Sequence, residues 1–503
     1  MKSIRSVLPF CAIFCYVLHM PGQSNNSLVA EPYRPVFHFS PKTNWMNDPN
    51  GMIYYKGIYH LFFQHYPAST VWGPMHWGHA TSRDMVHWEE QSIKLYPDSL
   101  GYIFSGSTVL DKDNSSGLGH SGIPPLVAIF THHHPGIEKS GSQEFQYQSL
   151  AYSTDEGTTW TKYKDNPVLK NPGMRDFRDP KVSWYAPAKK WIMTLAAGDR
   201  ILFYSSRDLK AWALESEFGS SLGAHGGVWE CPDLFTLKHR GKKVWVLLVS
   251  IGSGGPNGGS ATQYFIGHFD GKSFIPSDTT TRFIDYGTDN YAGVTFSNTG
   301  SRKIFMGWMS NWQYAQDVPT VNWRSAMTIP RDLFIKKIND KIYVASLPVK
   351  EFASRLKDPV TLNHISIMGR YDLNQKINSP TTIFTLKISD AEPRDFVIVL
   401  ANEAGEEIRI GYDPTSNRYF IDRTRSGKID FKPEFGKIHY APRTTSGPIQ
   451  LTLLVDEASI ELFSDDGVSV MTDIFFPNQP MNKLYVQSRQ GIKIKKIIFH
   501  TIE

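Results

Sequence analysis

Three carboxylates of the chain share one local setting. Asp48 lies in Asn47-Asp-Pro-Asn-Gly51, Asp179 in Arg178-Asp-Pro180 and Glu230 in Trp229-Glu-Cys-Pro232. Each is followed within two residues by proline and then by a run that reads as a strand, at residues 52–55, 182–185 and 234–237. Taken singly, an acid before proline is a turn or helix-start residue. Three of them, flanked by Trp45, Trp229 and Arg178 and with no His or Cys cluster beside them, point to hydrolysis of an acetal. There one carboxylate acts as nucleophile or base, and another, its pKa raised by its neighbours, protonates the leaving oxygen. A calcium site is the chemical rival, because Asp and Asn oxygens also bind hard cations.

Acids so far apart in sequence meet only if equivalent elements carry them to one place. Short runs of Tyr, Val, Ile, Phe and Trp bounded by Gly, Pro, Asn and Asp recur along the chain without a long 3.6-residue period, so the fold class reads as all-β. A degenerate repeat refines this. Ser82-Arg-Asp84 precedes Trp88, Ser153-Thr-Asp155 precedes Trp160, Ser206-Arg-Asp208 precedes Trp212, and Asp270-Gly-Lys-Ser precedes Phe274. The spacing of roughly 50–70 residues suits a four-stranded propeller blade with loops. Residues 285–333 supply a fifth unit. A five-bladed β-propeller places the starts of its inner strands around one end of the axis, where the three acids converge. Unrelated hairpins in sandwiches are the alternative organisation.

Beyond about residue 356 the turn repeat stops, all 13 Trp having come before Arg324, and alternation is cleaner, as in Ser459-Ile-Glu-Leu462. The expected organisation is a signal peptide at 1–24, a propeller at 33–345, a linker at 346–355 and a C-terminal β-sandwich at 356–503. At the N-terminus Lys2 and Arg5 precede an apolar stretch, residues 7–18, that ends in polar Pro21-Gly-Gln-Ser24, the pattern of a cleaved secretory signal. That stretch is too short to span a membrane, so the reading is a secreted, extracellular protein with no membrane partner. Cleavage removes Cys11 and Cys15 and leaves Cys231 alone, so no intrachain disulfide forms and a large core must hold the fold. Asn25 and Asn114 stand in glycosylation sequons. The net charge of +5 over 503 residues is too weak and dispersed for a nucleic-acid surface. The 13 Trp, 23 Tyr and 30 Phe suit both β-structure and the apolar faces of sugars.

At this point the residues carry a resemblance. Trp45-Met-Asn-Asp-Pro-Asn-Gly51, Phe177-Arg-Asp-Pro180 and Trp229-Glu-Cys-Pro232 resemble, in order, the signature motifs of the invertase family of β-fructofuranosidases, glycoside hydrolase family 32. The likeness extends through Leu61-Phe-Phe-Gln-His-Tyr66, Trp72-Gly-Pro-Met-His-Trp-Gly-His79, Phe104-Ser-Gly-Ser107 and Gly307-Trp-Met-Ser-Asn-Trp312, and on into residues 456–477. It implies Asp48 as nucleophile, Glu230 as acid and base, and Asp179 as the group that holds ring hydroxyls and stabilises the oxocarbenium-like transition state. It further implies sugar contacts from Asn47, Gln64, Trp72, Phe104, Ser105, Arg178 and Trp312, with no cofactor or metal. For each aromatic, packing within a blade is an equal alternative, and Arg178 has a second reading as a structural partner of Asp179.

The activity implied is retaining hydrolysis of the terminal β-D-fructofuranoside of sucrose. A fructan exohydrolase or a fructosyltransferase would use the same acids, and a sugar-binding propeller without catalysis is the reading from another class. Plant members carry lysine after Asp-Tyr-Gly where this chain has Asp285-Tyr-Gly-Thr288, so that segment leaves sucrose preference open. Cys231 reads as a buried thiol shaping the acids' surroundings rather than a nucleophile. His132-His-His134 reads as a loop rather than a metal site, and Gly252-Ser-Gly-Gly-Pro-Asn-Gly-Gly259 as a loop without the lysine of a phosphate cradle.

Overall fold

Residues rich in aromatic and β-branched side chains, punctuated by glycine and aspartate turns, build strands almost throughout. A computed structural model describes residues 31–120, 122–377 and 382–503; the expected signal segment, Cys11, Cys15 and Asn25 lie outside them. Among the described residues five antiparallel sheets follow one another along the chain and form the blades of a propeller, and a larger sheet system completes the molecule. The inner strands are Asn44–Tyr55, Tyr102–Leu110, Phe177–Tyr185, Trp229–His239 and Tyr291–Thr295. Each leads outward through successive hairpins of its own blade. Rings fill the wedges between blades: Trp77 of the first blade meets Phe130 of the second at 5.9 Å, and Phe203 of the third meets Phe269 of the fourth at 5.3 Å. The ring closes where Asn44 and Trp45 pair in parallel with Trp323 and Arg324, and where the Ser297 amide donates to Met52 O at 2.9 Å.

The repeated aspartate turn joins the third and fourth strands of the first four blades. Asp84 accepts from the Val86 and His87 amides, Asp155 from Thr159, Asp208 from Lys210 and Ala211, and Asp270 from Lys272 and Ser273. In the first three the indole N–H of Trp88, Trp160 or Trp212 donates to a carbonyl inside the same turn. The aspartate thus satisfies the turn's amides while the ring packs beneath it, which is why both recur together.

The C-terminal domain is a sandwich built around two long strands, Leu356–Asp372 and Lys483–Ile502, which pair along most of their length. One half of Lys483–Ile502 pairs with Phe396–Ala401 and the other with Phe384–Ala391, so the two strands pass from one layer into the other. The change of layer falls at Gly369 (φ 72°) and Gly491 (φ 79°), a backbone conformation that glycine adopts freely. Leu386, Ile398, Ile410, Leu453, Leu462, Val486 and Phe499 are among the side chains of the core between the layers.

Two expectations are corrected here. His132 and His133 are buried and end the strand Leu126–His133 rather than lying in a loop; His134 caps the short helix Pro135–Lys139. The run Phe130 to His133 alternates poorly, which hid the strand. The catalytic candidates also do not precede their strands: Asp48, Asp179 and Glu230 lie inside them.

The propeller and the sandwich meet through buried charge. His38 sits between Asp456 and Glu461, 2.8 Å from each. Burial alone would lower its pKa, but the two carboxylates outweigh burial and push it up to about 9. The stabilisation from its charged form is therefore complete below the ordinary histidine range and is lost as the pH rises through 9. We expect the melting temperature to fall between pH 7 and 10, and the fall to flatten in His38→Gln; scanning calorimetry across that range checks it, and a parallel decline in both proteins would remove His38 as the cause.

Candidate active site

All five inner strands carry a β-bulge at the same level. Two residues oppose one on the second strand at Asn47-Asp48, Phe104-Ser105, Asp179-Pro180, Cys231-Pro232 and Ala292-Gly293. A bulge re-aims side chains locally, and repeating it around the ring turns chosen groups to the axis. Three of the five contain a non-glycine residue with positive φ, Asp179 at 65°, Cys231 at 45° and Ala292 at 53°. Such strain, about 1–3 kcal/mol each, persists where the surroundings over-determine it.

The groups presented form one connected cluster. Asp48 Oδ2 accepts from Ser105 Oγ at 2.6 Å, and its Oδ1 accepts from Asn47 Nδ2 at 2.9 Å. Asn47 is itself held by the Trp45 indole at 2.7 Å. Cys231 links two acids: its backbone N–H donates to Asp179 Oδ2 at 3.1 Å, and its thiol lies 3.5 Å from Asp48 and 3.6 Å from Asp179. The Asp179 amide donates to Thr131 Oγ1 at 3.0 Å. Glu230 is gripped from both sides, by Arg178 Nε at 3.0 Å on Oε1 and by a short hydrogen bond from the Tyr291 hydroxyl on Oε2. Arg178 is braced in turn by Asp176 at 2.6 Å.

Burial is the largest electrostatic effect. It raises Asp48, with the Glu230 charge adding and Ser105 and Asn47 opposing. It pushes Asp179 up to about 7, against Arg178 and with help from Glu230 and Asp48. Burial and the acids, all three at Cys231 and Glu230 and Asp48 at Tyr291, also keep the Cys231 thiol and the Tyr291 phenol neutral, so both serve as donors. Three carboxylates beside one guanidinium thus retain a proton close to neutrality. The protonated form of Asp179 stabilises the fold fully below the ordinary carboxylate range, and that contribution is lost as the pH rises through 7. Asp179→Asn, which carries no such penalty, is expected to melt roughly 2–4 °C above the parent at pH 8. The difference should shrink towards pH 4; calorimetry showing equal melting at pH 8 would contradict the raised pKa.

The residues singled out in the sequence come together, with particular neighbours. Gln64 faces the first bulge from the second strand, buried, its Nε2 without a hydrogen-bond partner among the described residues. Phe104 stacks on His133 at 4.4 Å and meets the half-exposed Trp72 edge-on at 6.0 Å, while Trp312 stacks on Trp45 at 5.9 Å. Aromatic rings thus stand beside the acids, with Trp72 open to solvent. Arg178 pairs with Glu230 and Asp176 rather than by hydrogen bond with Asp179. Cys231 is buried between the acids. Asp285 and Thr288 are not at this site; both are buried at the joint, where Asp285 accepts from Arg331 and Thr472, and Thr288 donates to Asp473.

Sequence reasoning missed Tyr291, Thr131 and Asp176. Tyr291 stands immediately before the fifth bulge as Glu230 stands before the fourth, so a search for acids before proline passed over it; the small pair Ala292-Gly293 was the available signal. Among the described residues no group of three or more His, Cys, Asp or Glu side chains is arranged to hold a metal ion.

Carboxylates gathered at the axis of a five-bladed propeller, each held by its own donors, are the arrangement that acetal hydrolysis in a glycoside hydrolase requires. Comparison with known proteins gives the family. Residues 38–346 match the glycosyl hydrolases family 32 N-terminal domain and residues 357–501 the family 32 C-terminal domain; the chain belongs to glycoside hydrolase family 32. It is similar to a levanase from Bacillus subtilis (strain 168), 45% identical over 521 residues, covering 100% of this chain and 75% of the levanase. Among solved structures it resembles the exo-inulinase from Aspergillus awamori, with TM-score 0.85, 35% identity and coverage of 94% of this chain and 99% of that one. The β-fructofuranosidase from Schwanniomyces occidentalis, complexed with fructosyl-erythritol, is equally similar in fold, with TM-score 0.85, 32% identity and coverage of 94% and 98%.

Proposed function

We propose that the protein is a secreted, retaining, exo-acting β-fructofuranosidase that removes terminal β-D-fructofuranosyl units from sucrose and from β-fructans. The observation that carries this reading is the contrast between two carboxylates of one pocket. Asp48 accepts from a hydroxyl, an amide and a thiol, of which the hydroxyl and the amide oppose the effect of burial and favour the nucleophilic carboxylate. Glu230 is positioned by Arg178 and Tyr291. Asp48 attacks the anomeric C2 as Glu230 gives its proton to the glycosidic oxygen, and the aglycone leaves. Glu230 then takes a proton from water, which attacks C2, breaks the fructosyl ester and releases fructose with net retention. Asp179, braced by the Cys231 amide, accepts hydrogen bonds from ring hydroxyls and faces the positive charge that develops at the transition state. Asn47, Gln64, Ser105 and Arg178 supply directional polar contacts and Trp72, Phe104 and Trp312 the apolar walls.

The names of the relatives, a levanase and exo-inulinases described as extracellular, support fructans as substrates and export from the cell, in line with the N-terminal Lys2 and Arg5 and the apolar stretch after them. The test is hexose release, resolved by chromatography, from sucrose, raffinose, inulin, levan and maltose given in parallel. Fructose from every fructoside and nothing from maltose is the expected result. Oligosaccharide products at high sucrose would assign transfer instead, and no fructose from folded protein would leave a sugar-binding propeller.

A further inference from the structure

Beneath the acids the propeller axis is closed by a second set of charged groups. Lys181, two residues beyond Asp179, reaches across to the fifth blade and donates to Thr295 O, with its Nζ 3.3 Å from Asp233. Asp233 accepts from the Thr295 amide at 2.6 Å and from its hydroxyl at 2.8 Å. On the far side of this knot a cavity of about 290 Å³ opens between the later parts of the inner strands. Its lining includes Ser183, Trp184, Thr236, Asn298 and Lys303. The catalytic candidates are not among the residues that line it.

The charge of this cavity does not balance. Lys181 and Asp233 answer one another, and Lys303 remains as a second ammonium. Among the described residues no hydrogen bond or ion pair reaches its Nζ, although it is largely buried. Burial and the charge of Lys181 lower its pKa, with Asp233 opposing. A partly desolvated cation beside open, polar space attracts an anion more strongly than the same cation on an exposed surface, because screening by water is weaker there. The surplus positive charge equally disfavours a metal cation.

We propose that this cavity is a binding site for a small oxyanion, of the phosphate, sulfate or carboxylate class, held by the ammonium of Lys303 and by the hydroxyls of Ser183 and Thr236. The site lies at the opposite end of the axis from the sugar pocket and is independent of the reaction assigned there. Its occupancy would tie the inner strands of the third and fourth blades to Lys303, which stands just before the second strand of the fifth blade, Ile304–Met309, so binding is read as added stability of the whole chain.

The experiment is thermal unfolding of the full chain at constant ionic strength, with chloride replaced stepwise by phosphate, sulfate or acetate, and with fructose as an uncharged arm. The parent should gain stability that saturates in anion. Lys303→Met should need at least tenfold more anion for the same gain while keeping fructosidase activity. The order of phosphate, sulfate and acetate distinguishes a tetrahedral from a carboxylate ligand. An equal gain in Lys303→Met would mean a general salt effect, and a gain with fructose alone would mean a sugar subsite; either overturns the proposal. Should Lys303→Met prove inactive through misfolding, calorimetric titration of phosphate into the parent decides, and the absence of saturable heat overturns it.

Discussion

Asp48→Asn is expected to lower kcat by about four to six orders of magnitude on every fructoside, the scale seen when an enzyme loses its nucleophile. The loss should be the same for good and poor leaving groups, since without the carboxylate no fructosyl ester forms. Glu230→Gln is the contrasting variant. It keeps the nucleophile and loses the proton donor, so sucrose and inulin should suffer far more than an aryl fructoside whose leaving group needs no protonation. Burial already penalises the charge of Asp48, so the neutral variant should fold and melt no lower than the parent at pH 8. Steady-state rates on sucrose and on an activated aryl fructoside, measured for both variants, check the pair of roles. Sucrose turnover by Asp48→Asn within tenfold of the parent would remove Asp48 as nucleophile.

The three acids were legible because each carries a local signature, an acid closely followed by proline within an aromatic setting, and because a turn repeat announced blades that bring such signatures together. The bulges were not legible. Whether two residues oppose one depends on the register of the second strand, as Gln64 against Asn47 and Asp48 illustrates, and register is a property of the paired strands rather than of either sequence. For the same reason the acids were placed ahead of strands that in fact contain them. Tyr291 escaped because its role is to donate to Glu230, a residue 61 positions away; nothing local marks a tyrosine for that task. Asp285 and Thr288 illustrate the converse. Nothing in Asp285-Tyr-Gly-Thr288 foretells that contacts from the sandwich bury both polar side chains. Long-range partners decide such positions, and the sequence between them is silent about which partner arrives.

Arg331→Met is expected to be the most destabilising single change at the joint, by about 3–5 kcal/mol. Arg331 leaves the fifth blade fully buried and bonds Asp285 of the propeller at 2.8 Å, Thr472 of the sandwich at 2.7 Å, and Glu461 of the sandwich through Nε at 3.0 Å and through a second, shorter contact. Burial opposes the charge of Glu461, but Arg331 and His38 outweigh it and hold its pKa below the ordinary range. Removing the guanidinium therefore leaves Asp285 and Glu461 buried with one cation fewer, and the cost is that of stranded charge rather than of lost packing. This separates two explanations of the joint. If stranded charge is the cause, adding Glu461→Leu to Arg331→Met should recover part of the loss, because the second change removes a carboxylate that no longer has its partner. If shape is the cause, the double variant should be worse than the single. Urea unfolding of the parent, the two single variants and the double variant measures the coupling directly. Losses that simply add would show that Arg331 and Glu461 act independently, and the joint would then rest on its apolar contacts, such as Phe37 and Phe352 against Leu454 and Phe463.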